Sequence, residues 1–313
     1  MPLSWRALLF RERILGSDSR QHLFEVESIG VKYQRSGNFD ICIKLYSHAI
    51  KMGQHHNQSA LGLKAIGYLI WALCDMIEHN IPPRQNAVLE VLHKTVLQMR
   101  FTKERKLEAE SLKEFQESES KLLCYILRIL QIFAKFELCD EDKNSSITII
   151  IQRLLCANLQ NDHRNTLLHL AAADGQGLMV KFFRFELKNR LLFAFPCSKT
   201  VKLLLQMGFD VNAVNSNGDT PLHRAVTFQP SNDNIHLLTE MLEVLLDGGV
   251  HHDFVNNDGK TAMDMAQTDE ACWILSERKT LELKCIAAKA VKKFGLPYAG
   301  VVPKSLEKYI SMH

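Results

Sequence analysis

Two histidine pairs and one run of acidic residues are the groups in this sequence that could bind a metal ion. They are His55-His56, His251-His252 and Asp140-Glu141-Asp142. Imidazole nitrogens are common ligands of zinc, and carboxylate oxygens are ligands of calcium. Neither pair has a third ligand nearby at the spacing of a zinc site, and the acidic run lacks the glycine and the final glutamate of a calcium loop. We therefore predict neither a metal site nor a cofactor.

Candidate catalytic residues are scattered in the same way. The sequence has no glycine-rich phosphate loop, no nucleophile elbow and no His-Glu-x-x-His motif. His169 and His223 each lie at the start of a short predicted helix, where an imidazole usually hydrogen-bonds to neighbouring backbone. We assign both histidines a structural role and predict a binding protein that is not an enzyme.

Apolar residues near the end of the chain predict a contact surface. Leu281, Cys285 and Ala288 succeed one another at intervals of four and three residues, which places them on one face of a helix. Gly295 and Pro297 end that helix. Because cysteine and alanine are small, this face would allow a partner to approach closely.

A second short helix is predicted after the first. Val302 and Pro303 begin it, since proline is favoured in the first helical turn, and Leu306 and Ile310 lie four residues apart on one face. Two short helices with narrow apolar faces cannot form a core of their own. They either cap the preceding domain or dock on another protein.

The composition is that of an ordinary globular chain. Its 313 residues, 46% of them hydrophobic and 23% charged, suffice for about two or three domains. The net charge of +3 gives no argument for a nucleic-acid partner, and no run of about 18 apolar residues predicts a membrane span. Eight scattered cysteines without a Cys-x-x-Cys motif, and no signal peptide, indicate reduced thiols in the cytosol or nucleus.

The first half of the chain has the pattern of helical repeats. From Val26 to Ala49, small and aromatic residues occur at the spacings of one tetratricopeptide unit, whose period is about 34 residues. Gly30 and Cys42 are small where two antiparallel helices would cross, and Tyr46 would fill the space between neighbouring units. The residues from Trp5 to Ile14 resemble the second helix of a preceding unit.

The second half changes to ankyrin repeats, whose period is about 33 residues. Gly218 and Gly259 supply the positive φ that the ankyrin turns need, whereas Arg164 stands at the equivalent place in the first repeat. The insertion from Leu178 to Pro196 is apolar and basic; it either folds onto the repeats, which we favour, or lies on a membrane surface. Three ankyrin helix starts begin at threonines, with insertions of about 21 and 8 residues between them: Thr166, Thr220 and Thr261.

These patterns predict an all-α fold. We expect a helical-repeat solenoid, tetratricopeptide-like and then ankyrin, that ends in a C-terminal helical docking box. The predicted domains are residues 1–145 for the tetratricopeptide-like region, 146–279 for the ankyrin repeats and 280–313 for the docking box.

The C-terminal pattern resembles two docking boxes of ubiquitin-ligase receptors. Leu281-x-x-x-Cys285 resembles the elongin BC-box, and the run from Val302 to Ile310 resembles the cullin box that follows it in receptors for the second type of cullin. A tetratricopeptide unit, ankyrin repeats and these two boxes, in this order, resemble the feminization-one (Fem-one) family. The resemblance implies a non-catalytic substrate-recognition or adaptor subunit of a cullin-RING ubiquitin ligase with elongins B and C.

The same resemblance implies two sets of site residues. Lys289 stands where the BC-box has an apolar residue, so Ala288 or Ala290 would serve instead. The residues implied to face elongin C are Leu281, Leu283, Cys285 and Ala288. Those implied to face the cullin, which carries its RING subunit, are Val302, Pro303, Leu306 and Ile310.

The substrate-binding part of the family has no counterpart in this sequence. Family members carry an N-terminal ankyrin array that binds the C-terminal degrons of substrates. We therefore expect a chain that keeps the ligase-docking half and lacks that pocket, and its protein substrates stay undefined. The alternative is a tetratricopeptide–ankyrin scaffold unconnected to ubiquitin, in which the tail caps the last repeat.

Overall fold

The computed structural model describes residues 20–55, 59–104, 112–136, 145–157, 159–173, 196–230, 234–278 and 283–313. Some sequence predictions lie outside these residues: the half-unit from Trp5 to Ile14, the acidic run, Leu281, and all but the last residue of the insertion from Leu178 to Pro196. The described part forms two compact units, and the second begins at Asp162. The domain boundaries proposed at 145/146 and 279/280 stay predictions.

The described part of the first unit consists mainly of α-helices. Gln85 begins a helix just after Pro82 and Pro83, which follow the end of the preceding helix at Glu78. The helices are α1 (Arg20–Arg35), α2 (Phe39–His55), α3 (Ser59–Glu78), α4 (Gln85–Glu104), α5 (Leu112–Phe136) and α6 (Ser145–Cys156).

Helices α1 and α2 cross where the sequence places a glycine. A Cβ atom added to Gly30 would lie 2.5 Å from Cζ of Tyr46, so only glycine leaves room for that ring. Tyr46 is fully buried and stacks on Tyr68 of α3, with ring centroids 5.2 Å apart. The predicted close crossing of these helices is therefore present, while their assignment as a tetratricopeptide unit stays a prediction.

The second unit contains the ankyrin repeats and the C-terminal helices. Each ankyrin repeat contributes a short helix and a longer partner, so the helices come in pairs along the chain. They are α7 (Leu167–Ala172), α8 (Ser198–Gln206), α9 (Pro221–Ala225), α10 (Ile235–Asp247), α11 (Ala262–Met265), α12 (Asp269–Glu277), α13 (Leu283–Lys293) and α14 (Lys304–Ser311).

Three threonines cap the short ankyrin helices α7, α9 and α11 in the same way. Thr166 pairs with His169, Thr220 with His223 and Thr261 with Asp264, each in a reciprocal capping box. The buried histidines also reach the next repeat: Nε2 of His169 lies 2.9 Å from the Asp219 carbonyl oxygen, and Nε2 of His223 lies 3.2 Å from that of Lys260. Both histidines are thus structural, as the sequence predicts.

Asparagine side chains hold the ankyrin turns. The side-chain oxygen of Asn215 accepts hydrogen bonds from the backbone N–H groups of Asn217 and Asp219, each at 2.9 Å. Asn256 makes the equivalent pair of bonds one repeat later. These repeated bonds fix the loop that precedes each short helix.

The predicted all-α helical-repeat fold is confirmed. Apart from isolated bridges such as Val255 with Thr261, the described residues outside the helices are in turns and irregular segments. Within the described ranges no helix combines the length and the apolar character needed to cross a bilayer.

Candidate docking site at the C-terminal helices

Helix α13 has clear signals at its end. Lys292 and Lys293 lie in its last turn, where their positive charge interacts favourably with the negative end of the helix dipole. Gly295 follows with φ of 60°, and the Leu296 N–H donates to the Val291 carbonyl oxygen at 3.0 Å. This is the left-handed glycine cap that closes many helices, and it turns the chain towards α14.

Helix α14 packs on α13 through small and aromatic side chains. Cys285 and Ala288 of α13 and Ile310 of α14 are all buried. The sulfur of Cys285 lies 3.0 Å from the Tyr309 hydroxyl and 3.4 Å from Nδ1 of His251. The small face of α13 predicted from the sequence is therefore covered by α14 and by an ankyrin turn of the same chain.

The chain end is attached to the last ankyrin turn by polar contacts. The Val255 N–H donates to the Met312 carbonyl oxygen at 2.8 Å. Nζ of Lys289 lies 3.2 Å from Oδ2 of Asp253, whose side chain is only 4% exposed. These contacts place α13 and α14 on the ankyrin repeats as a cap.

Four aromatic rings fill the junction between the tail and the ankyrin turn. Phe254 stacks on His251 at 4.7 Å between centroids, and it meets His313 edge-on at the same distance. Tyr309 and His313 lie 4.4 Å apart. Periodicity within the tail could not have predicted this cluster, because half of it comes from residues about 55 positions earlier in the chain.

Burial changes the protonation of His313. It lowers the pKa of the imidazole below its usual value, so the ring is neutral at pH 7. Nδ1 of His313 lies 2.9 Å from the Tyr309 carbonyl oxygen, which assigns the proton to Nδ1. Nε2 then carries a lone pair and lies 3.5 Å from Oδ2 of Asp253.

The outward faces of the tail expose large apolar side chains. Leu283 is 81% exposed, Val301 72% and Phe294 71%. Among the described residues, six of the ten exposed large hydrophobic side chains lie between positions 283 and 306; the other three are Ile286, Leu296 and Leu306. Clustered apolar exposure of this kind marks interaction surfaces.

The structure divides the predicted elongin-facing set. Leu283 is exposed, whereas Cys285 and Ala288 are buried against the chain itself. Residues two positions apart lie on nearly opposite sides of a helix, so Leu283 and Cys285 cannot share one face. Leu281 lies outside the described residues.

The predicted cullin-facing set is divided in the same way. Pro303 and Leu306 are exposed, Val302 is half-buried and Ile310 is buried. Pro303 begins α14, as the sequence predicts. The partner contacts of both sets stay predictions.

Comparison with known proteins relates the chain to ankyrin and Fem-1 proteins. A family of ankyrin repeats in many copies matches residues 192–246. "Protein fem-1 homolog A" of Rattus norvegicus is 27% identical over 98% of this chain and 45% of its own length. "Protein fem-1 homolog C" of Danio rerio is 28% identical over 98% of this chain and 48% of its own, and "Protein fem-1 homolog A" of Homo sapiens is 26% identical over 98% and 44%.

These relatives confirm the resemblance predicted from the sequence. The chain spans about half the length of the curated relatives it matches. A solved ankyrin repeat protein, 22% identical, covers 53% of this chain with a TM-score of 0.26, which is too low to compare the two folds.

Proposed function

We propose that this chain, a repeat protein similar to Fem-1 homologues along nearly all its length, is a non-catalytic substrate-recognition or adaptor subunit of a cullin-RING ubiquitin ligase. In this proposal α13 binds elongin C of the elongin B–C pair, and α14 binds a cullin of the second type with its RING subunit. The ankyrin repeats are left to bind protein substrates, in the cytoplasm or nucleus. The supporting observation is the cluster of exposed apolar side chains on the two C-terminal helices and the loop between them.

The exposed face of α13 supports an elongin contact. Leu283 and Ile286 are 81% and 49% exposed and lie three residues apart, which puts them on one side of the helix. Apolar side chains at such spacing are the anchors of helix-in-groove recognition. Leu283 and Ile286 are accessible to a partner without any conformational change in the chain.

The buried face of α13 supports a two-step contact. The Fem-one resemblance assigns Cys285 and Ala288 to elongin C, and α14 covers both side chains. For these residues to reach a partner, α14 must leave α13. The observed affinity then equals the intrinsic affinity multiplied by the fraction of molecules that are open.

The exposed start of α14 supports a cullin contact. Pro303 fixes the first turn, and Leu306 is 49% exposed on its outer side. Val302 is half-buried beside them. These residues do not depend on the Leu283 side of α13, so the two contacts should be separable by mutation.

Co-purification with elongin B–C and the cullin tests this proposal. Truncating an interface anchor costs about 2 kcal/mol, roughly thirty-fold in affinity, and a charge at the same place should cost more. We expect Leu283→Asp to lose elongin B–C, and Leu306→Asp to lose the cullin while it keeps elongin. Ile81→Asp is the control, since Ile81 is 41% exposed in the first unit, and it should keep both.

The alternative of a scaffold unconnected to ubiquitin has a specific observation in its favour. The hydrogen bond from Val255 to Met312 and the ion pair of Lys289 with Asp253 make the tail a cap of the last ankyrin turn. If a folded Leu283→Asp variant retains elongin B–C at wild-type level, or if wild type binds none, this alternative replaces the ligase proposal.

A further inference from the structure

We infer that His251, Asp253, Cys285 and His313 form a binding site for a zinc ion. One potential ligand atom from each residue lies within 4.8 Å of all the others. His251 and Asp253 come from the last ankyrin turn, Cys285 comes from α13, and His313 follows α14. Two nitrogens, one sulfur and one oxygen are a donor set that zinc accepts.

Two distances already match neighbouring ligands of a tetrahedral metal. In a zinc site with bonds of about 2.0 to 2.3 Å, neighbouring ligand atoms lie roughly 3.3 to 3.7 Å apart. Nδ1 of His251 lies 3.4 Å from the Cys285 sulfur, and Nε2 of His313 lies 3.5 Å from Oδ2 of Asp253. The two pairs would form opposite edges of the tetrahedron of ligand atoms. Small rotations of the side chains would bring the other four distances between ligand atoms to the same length.

The orientation of His313 is that of a metal ligand. Its Nδ1–H donates to the Tyr309 carbonyl oxygen, the arrangement that fixes the tautomer of metal-bound histidines. Nε2 of His313 consequently faces the carboxylate of Asp253 at 3.5 Å, without a hydrogen bond between the two. A cation between these two atoms would bind both.

The buried polar atoms of the site lack hydrogen bonds. Nε2 of His313 and both carboxylate oxygens of Asp253 are inaccessible to solvent and accept none. Such atoms cost free energy unless a partner satisfies them. Lys289 offsets part of the carboxylate charge from 3.2 Å, but it provides no partner for Nε2. A bound zinc ion would satisfy Nε2 of His313 and one of the two carboxylate oxygens.

The sulfur of Cys285 has the surroundings of a metal-bound thiolate. The Tyr309 hydroxyl lies 3.0 Å away, where it can donate a hydrogen bond to the sulfur. His251 stacks on Phe254, which holds its ring in place. Zinc is favoured over calcium or magnesium because those ions take oxygen ligands.

Metal titration of the purified full chain tests the inference. The chain is treated with a chelator and titrated with Zn²⁺ in competition with a chromophoric chelator, and separately with Co²⁺, whose absorption spectrum reports tetrahedral geometry and sulfur ligation. We expect one tight site per chain and a sulfur-to-cobalt charge-transfer band. His313→Ala should weaken zinc binding at least roughly tenfold, and Cys285→Ser should remove the charge-transfer band.

Matched controls separate this site from other zinc-binding groups. His236→Ala and Cys272→Ser change residues outside the cluster and should leave both titrations unchanged. Circular dichroism monitors folding, and the conservative Cys285→Ser variant decides the question if His313→Ala unfolds. Absence of saturable binding at micromolar zinc, or equal binding by wild type and Cys285→Ser with an unchanged cobalt spectrum, would overturn the inference. Since no elongin or cullin is used, the result is independent of the ligase proposal.

Discussion

Gly218 and Gly259 occupy the same position in successive ankyrin turns, with φ of 75° and 73°. Their surroundings differ: a Cβ on Gly218 would lie 2.8 Å from the backbone nitrogen of Asn257, whereas a Cβ on Gly259 would meet nothing within 4 Å. We expect Gly259→Ala to lower the free energy of unfolding by about 1 kcal/mol and Gly218→Ala by about 2 to 4 kcal/mol. Chemical denaturation measures both, and equal losses would contradict the steric argument.

Arg164 is an arginine at a place where the other repeats have glycine. Its φ is 56°, a conformation that costs an L-residue about 1 to 2 kcal/mol, and its side chain is exposed. Arg164→Gly should therefore stabilise the ankyrin unit by about 0.5 to 1 kcal/mol, after the greater entropy of glycine in the unfolded chain is subtracted. Asp162→Gly is the control, since Asp162 is exposed without a positive φ, and it should destabilise the unit. A destabilised Arg164→Gly variant would refute the prediction.

At the scale of elements, buried histidines make the ankyrin helix starts sensitive to acid. Burial is the main reason that the pKa of His169 falls from 6.5 to about 4. Stability is complete above pH 6.5, where the ring is neutral in both states. Between pH 6.5 and about 4 the unfolded chain gains a proton that the folded chain excludes, so stability falls by about 3 kcal/mol.

Thermal melts at pH 7.5 and 5 measure about 2 kcal/mol of this loss, since pH 5 lies between the two pKa values. We expect His169→Gln to be less stable than wild type at pH 7.5 but to lose less stability on acidification. Burial also lowers the pKa of His223, so part of the acid sensitivity remains in that variant. The exposed His236, changed to Gln, should leave the pH dependence as it is in wild type; an unchanged pH dependence in His169→Gln would refute the prediction.

The elements that follow local rules could be predicted from the sequence. Glycine and proline ended helices where expected, and the three threonine-led starts became capped helices because a capping box needs residues only three positions apart. The small face of α13 that carries Cys285 and Ala288 is also as predicted, while Leu281 lies outside the described residues. The residues that cover this face could not be predicted, because Tyr309 and His251 contact Cys285 from 24 and 34 positions away in the sequence.

The candidate zinc ligands illustrate the same limit. The histidine pair at 251–252 has no third ligand at local spacing, so the sequence predicts no metal site there. Cys285 and His313 join His251 only through the packing of α13 and α14 on the ankyrin turn. Long-range contacts of this kind leave no periodic signal in one sequence.

At the scale of the whole chain, the second unit combines repeats and tail into one compact body. The tail has two chemically different sides: a polar and aromatic side against the ankyrin turn, and a solvent-exposed side that carries large apolar side chains together with lysines. Leu283 and Leu306 are therefore accessible to partners while the tail remains packed on the ankyrin repeats. The exposed anchors of the ligase proposal and the zinc ligands thus lie on opposite sides of these helices, whereas Cys285 belongs to both proposals.

Because Cys285 is buried, the rate at which its thiol is alkylated reports how often α14 separates from α13. Alkylating reagents react with accessible thiolates, so in the metal-free chain Cys285 reacts only while α14 is away from α13. Cys156 is exposed and supplies the rate of an unprotected thiol in the same molecule. When closure is faster than alkylation, the ratio of the two rates gives the open fraction directly. The affinity observed for a partner that contacts Cys285 equals its intrinsic affinity multiplied by that fraction.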